Sequence, residues 1–342
     1  MSKVKVGVIG LKIGRGHAIC YNDYIADAEL TAIAERAGVT VGYFGRVKSE
    51  DFCDNIGVKR YEEGMDMIRN EQLDALSLCV SPKYRIQLLE EAAKRGMAIL
   101  MEKPMSCSSQ DAQKILDIIN KYNVLFMMEY PFRYFPAMVE LKKIVDSGIL
   151  GDIISVSSHL QTDYNPPRNH WMWDPQDGNG LLNEYVTHAF DNINYICGKP
   201  VSVYAVGRDY KGQSDMEDSA VMTFKYENGV TVMLNAGGYS TQAFKNPTYI
   251  HVYGTKGEAR VTGSDWMYTD LMYAANESKA PWKISFAPPE RFELMEYNLR
   301  HFVECVKERK KPSCGFEDGL TAVKMAEAVR ESCRTGLPQV VR

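Results

Sequence analysis

Short apolar runs alternate with amphipathic stretches over about the first 125 residues of the chain. The stretches 85–95 and 109–122 carry apolar residues at helical spacing, and Ser108–Asp111 is a typical helix start. Strands separated by helices indicate βαβ units, which build a parallel sheet with right-handed crossovers. The predicted strands are Val4–Ile9, Leu30–Ala34, Ala75–Val80, Ala98–Met101 and Val124–Met128.

The pattern changes after about residue 128, where strands follow one another with few helices between them. Asn228-Gly229 is typical of a tight hairpin turn, and strands joined by hairpins indicate an antiparallel or mixed sheet. The predicted strands are Ile153–Gln161, Val201–Asp209, Ser219–Tyr226, Val230–Gly237, Tyr249–Gly254 and Glu258–Thr262. Two helices, Phe292–Arg309 and Glu317–Thr335, are predicted to follow. We therefore expect an α/β domain at 1–128 and an α+β domain at 129–342, whose last helices are free to pack back on the first domain.

Composition supports two domains of an ordinary globular protein, because 342 residues exceed what one core usually serves. A net charge of −4 gives no reason to expect a nucleic acid or an anionic membrane as partner. No apolar stretch approaches the length of a membrane span, and the first residues lack the layout of a signal peptide. None of the eight cysteines forms a Cys-x-x-Cys pair, so we expect reduced thiols, a cytoplasmic location and no metal site.

A glycine-rich turn leaves the first predicted strand and enters a helix. Its position is typical of a dinucleotide-binding turn, in which Gly10 permits the tight turn and the following backbone N–H groups hold a pyrophosphate. The usual Gly-x-Gly-x-x-Gly spacing is not met, since the turn is one residue short and Lys12 stands near the second glycine. A plain strand-to-helix turn is the alternative.

Glu35 follows the second predicted strand, in the position expected for the acid that binds the adenosine ribose hydroxyls. A carboxylate there repels a 2′-phosphate, so NAD(H) is favoured over NADP(H). The neighbouring Arg36 weakens this preference, because it could stack on adenine or pair with a phosphate.

Glu102-Lys103-Pro104 comes directly after the apolar run 97–101. The carboxyl ends of parallel strands are where open α/β sheets bind ligands, and charged side chains are costly to bury unless they are paired or used. A lysine there could bond a substrate hydroxyl or share a proton with it beside a cofactor. A strand that ends in a solvated salt bridge is the alternative.

A second constellation lies in 178–191, which begins as a loop and becomes helical. Glu184, His188 and Asp191 are four and three residues apart, so a continuous helix would place them on one edge. A carboxylate one turn from a histidine can fix its tautomer, and histidine moves protons near neutral pH. A surface stripe of charges on an amphipathic helix is the alternative.

An aromatic loop precedes this helix, with Arg168, His170, Trp171 and Trp173 within six residues. Aromatic faces pack against the C–H faces of sugars, and their N–H groups can bond hydroxyls. The same residue types are enriched in subunit contacts, which is the other interpretation.

Seven segments, in this order and spacing, resemble the glucose–fructose oxidoreductase / inositol dehydrogenase / rhizopine-catabolism (Gfo/Idh/MocA) family over nearly the full length. They are Gly10–His17, Ser81-Pro82, Glu102–Pro104, Arg133–Pro136, Ser147–Gly151, Gly178–Asp191 and Glu331–Gly336. The resemblance implies an N-terminal Rossmann dinucleotide-binding domain and a C-terminal α+β domain with an open, mostly antiparallel sheet. It further implies a nicotinamide cofactor, a carbohydrate or polyol substrate, and a homodimer or homotetramer.

The family pattern makes Lys103 the active-site lysine and His188 the catalytic histidine, and it places Glu184 where an aspartate is usual. The longer side chain of Glu184 and the missing second glycine are departures that suggest a specialised subgroup. Cofactor contacts are expected from Gly10, Lys12, Ile13, Gly14, Glu35, Arg36, Ser81, Pro82, Glu102 and Lys103. Substrate contacts are expected from Tyr130, Arg133, Arg168, His170, Trp171 and Trp173.

The expected activity is reversible oxidation of a secondary alcohol of a sugar, cyclitol or glycoside to a ketone, with NAD⁺ taking the hydride. His188 would act as general base, Lys103 would stabilise the alkoxide, and Glu184 would orient His188 or hold a neighbouring hydroxyl. One alternative is an NAD-dependent glycoside hydrolase or lyase that oxidises C3 transiently and cleaves by elimination, since Tyr185–His188 resembles the Tyr-Pro-Thr-His of that branch. The other is a non-catalytic cofactor or sugar sensor, an alternative that is compatible with the departure of the glycine turn from the usual spacing.

Overall fold

The computed structural model describes residues 2–41, 45–164, 166–265, 267–288 and 293–341. In this part of the chain the strands form a six-stranded, a nine-stranded and a two-stranded sheet. In chain order they are β1 (Val4–Ile9), β2 (Ala28–Ala34), β3 (Thr40–Val41), β4 (Val47–Lys48), β5 (Lys59–Tyr61), β6 (Ala75–Leu78), β7 (Ala98–Glu102), β8 (Phe126–Glu129), β9 (Ile153–Gln161), β10 (Pro200–Arg208), β11 (Ser219–Tyr226), β12 (Thr231–Gly237), β13 (Thr248–Gly254), β14 (Gly257–Ser264), β15 (Met267–Ala275), β16 (Trp282–Ser285) and β17 (Gln339–Val340).

The α-helices are α1 (Gly14–Ile19), α2 (Ser49–Ile56), α3 (Gly64–Asn70), α4 (Arg85–Lys94), α5 (Ser109–Tyr122), α6 (Pro136–Asp146), α7 (Gly180–Glu184), α8 (Thr187–Cys197), α9 (Glu293–Glu308) and α10 (Phe316–Thr335). The start of α5 is capped by the Ser108 hydroxyl, which accepts from Asp111 N at 3.1 Å. Phe292, where the helix before α10 was predicted to begin, lies outside the described residues. Among the helices of the described ranges, none combines the length and apolar character needed to cross a membrane.

The chain divides into two compact units. Residues 1–131 and 290–319 form the first unit, and residues 132–289 and 320–342 form the second. Each unit has its own large sheet, as expected for a chain of this length.

The sheet of the first unit is entirely parallel, with strand order β5-β2-β1-β6-β7-β8. Residues 75–78 and 98–102 are buried throughout, as is typical of parallel strands covered on both faces. The chain runs outward from β1 on both sides, to β2 on one and to β6 on the other. The carboxyl ends of β1 and β6 therefore lie at the switch point of an open α/β sheet, which is where such sheets bind ligands.

The second stretch of the first unit is held to the earlier residues by specific contacts. Cys314 O accepts from Met128 N at 3.1 Å, and the Arg300 guanidinium donates to Tyr24 O at 3.1 Å. Asn298 is fully buried and donates through Nδ2 to a carboxylate oxygen of Glu129. Helix α9 is therefore part of the packed core of this unit.

The sheet of the second unit has the order β16-β15-β14-β13-β9-β12-β11-β10-β17. All its neighbouring pairs are antiparallel except β9 with β12. Strand β11 alternates buried and exposed residues over most of its length, so one face packs on helices and the other is open. The predicted fold class, a Rossmann-like parallel sheet followed by an open and mostly antiparallel sheet, is confirmed.

Candidate active site and cofactor turn

The turn after β1 has the geometry of a dinucleotide-binding turn at two of its three expected glycine positions. Gly10 adopts φ +90°, and a Cβ there would lie 2.6 Å from Cys79 O. At Gly14, which begins α1, a Cβ would lie 2.8 Å from the Cβ of Cys79. These are the tight-turn and helix–strand packing roles of such glycines. Lys12 is exposed and Ile13 is half-buried at the intervening positions.

The Glu35 carboxylate is held beside this turn by backbone amides. Its Oε2 accepts from Leu11 N at 2.9 Å, and its Oε1 accepts from Arg36 N at 3.0 Å. The Arg36 side chain is exposed, and Arg60 donates to Glu35 O at 2.8 Å. A carboxylate fixed at the end of β2 supports the predicted ribose contact.

Ser81 and Pro82 follow β6 at the neighbouring strand end. Pro82 is buried and opens a 3-10 turn, Pro82–Tyr84. The Ser81 hydroxyl is buried and has no hydrogen-bond partner within the described part of the chain. A buried hydroxyl without a partner is costly, so it fits a position that a ligand would satisfy. The Gly10 turn, Glu35 and Ser81 all follow parallel strands at the carboxyl edge of the sheet, so the residues present there fit the predicted dinucleotide.

Glu102, Lys103 and Pro104 lie where β7 ends, and the Lys103–Pro104 peptide bond is cis. Lys103 is partly exposed, whereas Glu102 is buried and its Oε2 accepts from Lys103 N at 3.1 Å. Lys103 therefore stands at the carboxyl edge of the sheet, as predicted from the apolar run before it.

Glu102 belongs to a buried cluster that sequence reasoning missed. Its Oε1 lies 3.2 Å from His17 Nε2, and Glu129 Oε1 lies 3.9 Å from the same nitrogen. On the other side of the ring, His17 Nδ1 lies 3.6 Å from Cys79 Sγ. The sequence does not predict this cluster, because its residues lie in, or directly after, different strands and helices.

The protonation state of each residue in this cluster affects the pKa values of the others. Burial opposes a charge on His17, but Cys79 and the carboxylates of Glu102 and Glu129 outweigh it and raise the pKa of His17 well above its ordinary value. Burial raises the pKa of Glu129 to about 7. The ligand atoms of His17, Glu102 and Glu129 lie within 4.8 Å of one another, close enough to share one ion. That no metal is bound there stays a prediction, which elemental analysis of the purified protein checks.

We expect Glu129→Gln to weaken the pH dependence of stability. The pKa of Glu129 is higher in the folded protein, about 7, than its ordinary value of 4.5. Its contribution to stability is therefore fully present below pH 4.5 and is lost as the pH rises through 7. The wild type should lose on the order of 2 kcal/mol over this range through Glu129, and the variant should not. Urea denaturation at pH 5 and pH 8.5 measures this.

Glu90→Gln, on α4, is the matched control, because Glu90 pairs with Lys94 at a partly exposed position. It should leave the pH dependence as in the wild type. An unchanged pH dependence in Glu129→Gln would show that the carboxyl group does not titrate as described.

In the second unit, the predicted continuous helix over Glu184 to Asp191 is wrong. Helix α7 ends at Glu184, and α8 begins at Thr187. Both Tyr185 N and Val186 N donate to Leu181 O, at 2.9 and 3.0 Å. The second of these bonds spans five residues, so the α-helical ladder is interrupted there. Glu184 and His188 consequently lie on different helices, so the single continuous helix that the prediction required is interrupted between them.

His188 lies in the first turn of α8 and is largely buried, with 9% of its surface exposed. Its ring stacks on Phe132, with the ring centroids 4.5 Å apart and an interplanar angle of 21°. Packing against an aromatic face restricts the imidazole to one orientation, which suits a group that transfers a proton.

Asp191, the third residue of the predicted constellation, is paired with an arginine. It forms a bidentate ion pair with Arg133, in which Nε donates to Oδ2 at 3.0 Å and Nη2 donates to Oδ1. Both side chains are buried, and the guanidinium also lies 5.0 Å from the centre of the Tyr195 ring. These contacts support a structural role for Arg133, and its predicted substrate contact stays a prediction.

The aromatic loop separates into buried and accessible members. Trp173 is buried and its indole donates to Pro166 O at 3.1 Å, so its N–H is already used. His170 Nδ1 accepts from Met172 N at 3.3 Å, and the partly exposed Trp171 lies against its ring. Arg168 is exposed, and its Nη2 lies 3.4 Å from Asp215 Oδ1.

Tyr130, the remaining predicted substrate contact, belongs to the first unit and is buried, with 1% of its surface exposed. Arg168, His170 and Trp171 are therefore the predicted substrate residues with accessible surface.

Two family models match the chain. Residues 4–130 match the model described as "Oxidoreductase family, NAD-binding Rossmann fold", and residues 138–260 match that of the "GFO/IDH/MocA C-terminal domain". The two matched segments lie within the first and second units, respectively.

Similar proteins of known name agree with these matches. The chain is 24% identical to myo-inositol 2-dehydrogenase of Thermotoga maritima, over 96% of each chain, and 28% identical to the rhizopine catabolism protein MocA of Rhizobium meliloti, over 80% of each. Among solved structures, levoglucosan dehydrogenase in complex with NADH and L-sorbose has a TM-score of 0.88 and 18% identity, with full coverage of both chains.

Proposed function

Because the chain belongs to the Gfo/Idh/MocA oxidoreductase family, we propose that it catalyses the reversible NAD(H)-dependent oxidation of a secondary alcohol to a ketone. The substrate class we propose is a sugar, a cyclitol or a glycoside. The observation that carries the proposal is Lys103 at the carboxyl end of β7, next to the end of β6, where the buried Ser81 hydroxyl has no hydrogen-bond partner among the described residues. The similarity to enzymes named for inositol and levoglucosan supports the substrate class.

The cofactor would be held by residues of the first unit. Gly10 and Gly14 shape the turn, Ser81 offers a hydroxyl that has no partner among the described residues, and Glu35 offers a fixed carboxylate for the ribose. When bound, NAD⁺ accepts the hydride removed from the alcohol carbon. Because the Glu35 carboxylate repels a 2′-phosphate, we propose NAD rather than NADP as the cofactor.

Two side chains would move or hold the proton of the substrate hydroxyl. His188 acts as general base, with its ring oriented by Phe132. The Lys103 ammonium bonds the substrate oxygen and stabilises the charge that develops there. Glu184 holds a neighbouring hydroxyl in this proposal, since it lies on another helix than His188.

A panel of sugars, cyclitols and aryl glycosides, each incubated with NAD⁺ or NADP⁺, tests the function. We expect NADH to accumulate with a ketone product for at least one compound, at a higher kcat/KM with NAD⁺. Release of an aglycone without accumulation of NADH would instead identify a hydrolase or lyase. Tight cofactor or sugar binding with no turnover of any compound would identify a sensor.

We also propose that the protein is a homodimer or homotetramer through the open face of the second sheet. Large apolar side chains on neighbouring strands of this face are exposed, and Val206 of β10 pairs directly with Val221 of β11. Tyr204, Met233 and Tyr253 are also exposed. Exposed large apolar side chains grouped on one face are a feature of interaction sites.

Val221→Arg should shift the protein toward the monomer, because it places a charge in the centre of the apolar face. Sedimentation velocity at micromolar concentration measures the change. A wild type that sediments as a monomer would overturn the proposal. Thr223→Arg should have a similar effect, because Thr223 pairs with Tyr204 and Met233 on the same face.

A further inference from the structure

Arg85, the first residue of α4, is buried with 2% of its surface exposed. Its guanidinium donates to the carbonyls of consecutive residues of the turn that carries Lys103. Nη1 donates to Glu102 O and to Pro104 O, and Nη2 lies 3.4 Å from Lys103 O. Nε donates to Val80 O at 2.7 Å. One side chain therefore fastens the ends of two adjacent strands, β6 and β7.

Only an arginine can make this set of contacts. Its planar guanidinium offers five N–H donors in a fixed fork, whereas the lysine ammonium offers three donors from a single point. The carbonyls after the end of a strand have no ladder partner of their own, and leaving them buried without a donor is costly. Arg85 supplies those donors from outside the sheet.

The contacts of Arg85 hold the backbone on both sides of Lys103. On the inner side of the same turn, His17 holds the Glu102 carboxylate, which in turn accepts from Lys103 N. The backbone of Lys103 is thus held by Arg85 on one side and by the Glu102 carboxylate on the other. The side chain of Lys103 is the part of the residue that can still change conformation.

We propose that Arg85 is a positioning residue that fixes the 102–104 backbone and thereby the place from which the Lys103 ammonium acts. The proposal rests on the role proposed above for Lys103. Loss of the guanidinium leaves the lysine chemically intact but lets its backbone shift, and displacements of about 1 Å can cost a factor of about 100 in rate.

Arg85→Met and Arg85→Lys test the proposal, with Arg95→Met as the matched control on an exposed arginine that follows the same helix. We expect Arg85→Met to lower kcat by about 10- to 100-fold, with KM for NAD⁺ within about twofold of the wild type. Arg85→Lys should recover part of the rate, because it can reach some of the carbonyls. Circular dichroism and melting curves show which variants fold. If Arg85→Met does not fold, the kinetic comparison is made with Arg85→Lys instead.

Trace acetylation of lysines followed by mass spectrometry gives a second readout that needs no turnover. The labelling rate of Lys103, relative to Lys94 as internal reference, should change severalfold in Arg85→Met and remain unchanged in Arg95→Met. A folded Arg85→Met protein with wild-type kcat and wild-type labelling of Lys103 would overturn the proposal. If the wild type turns over none of the substrates, the proposed function fails, but the labelling result still decides the role of Arg85.

Discussion

Lys103→Ala is expected to lower kcat by about 10³-fold while NAD binding survives. Positioned groups that transfer or hold a proton contribute about 10²- to 10⁴-fold, and the ammonium of Lys103 also stabilises the developing alkoxide. The other cofactor contacts proposed above, at Gly10, Glu35 and Ser81, are unchanged in this variant, so binding should change little. Steady-state kinetics give kcat, and titration of NADH fluorescence gives the dissociation constant.

Lys94→Ala is the control for loss of a lysine in the same unit, since Lys94 is exposed on α4 and pairs with Glu90. It should retain wild-type kinetics. Near-wild-type turnover in Lys103→Ala would remove the lysine from the mechanism, whatever the substrate proves to be.

His188→Ala is expected to lower kcat/KM by about 10²- to 10⁴-fold, because it removes the general base. The pH profile should change in a way that separates the chemical role from a packing defect. If His188 is the proposed base, wild-type kcat/KM should fall at low pH, because only a neutral imidazole can accept the proton, and this limb should disappear in the variant. His188→Gln keeps a polar side chain against Phe132 and should lose as much activity.

The matched control is His301→Asn, since His301 is a partly buried histidine that accepts from Ser313 N at 3.1 Å. Its rate and pH profile should match those of the wild type. An acid limb that persists in both His188 variants would assign the general base to another group.

For elements with strong apolar periodicity, the sequence predicted the first and last residues correctly. Val4–Ile9, Ser109–Tyr122, Ile153–Gln161 and Ser219–Tyr226 have the predicted bounds. The three strands carry apolar runs or apolar residues at alternate positions, and the helix Ser109–Tyr122 carries apolar residues at helical spacing, so local sequence and tertiary burial agree. Strand β5, Lys59–Tyr61, was not predicted, because three polar and aromatic residues pair at a sheet edge without any periodic pattern.

The candidate site was predictable only where position along a strand indicates function. Glu35 and Lys103 were found because both follow a buried parallel strand. Arg85 and Glu129 were missed, since a charged residue at a helix start or after a strand is usually a surface residue, and only partners distant in sequence bury these two. The interruption between α7 and α8 was missed for a related reason, as nothing in the residue types around Tyr185 breaks a helix.

The division of the first unit into two stretches affects how the protein must be made. The six strands are complete once residue 129 has been synthesised, but the ribosome then adds about 160 residues of the other unit before it reaches α9. At about 5 to 20 residues per second this takes roughly ten to thirty seconds. During that interval the surface against which Leu299 and Phe302 are later buried remains exposed to solvent. Glu129 also lacks its hydrogen bond from the Asn298 amide. The first unit, although begun first, can therefore complete its core only after the second unit's first stretch has been synthesised.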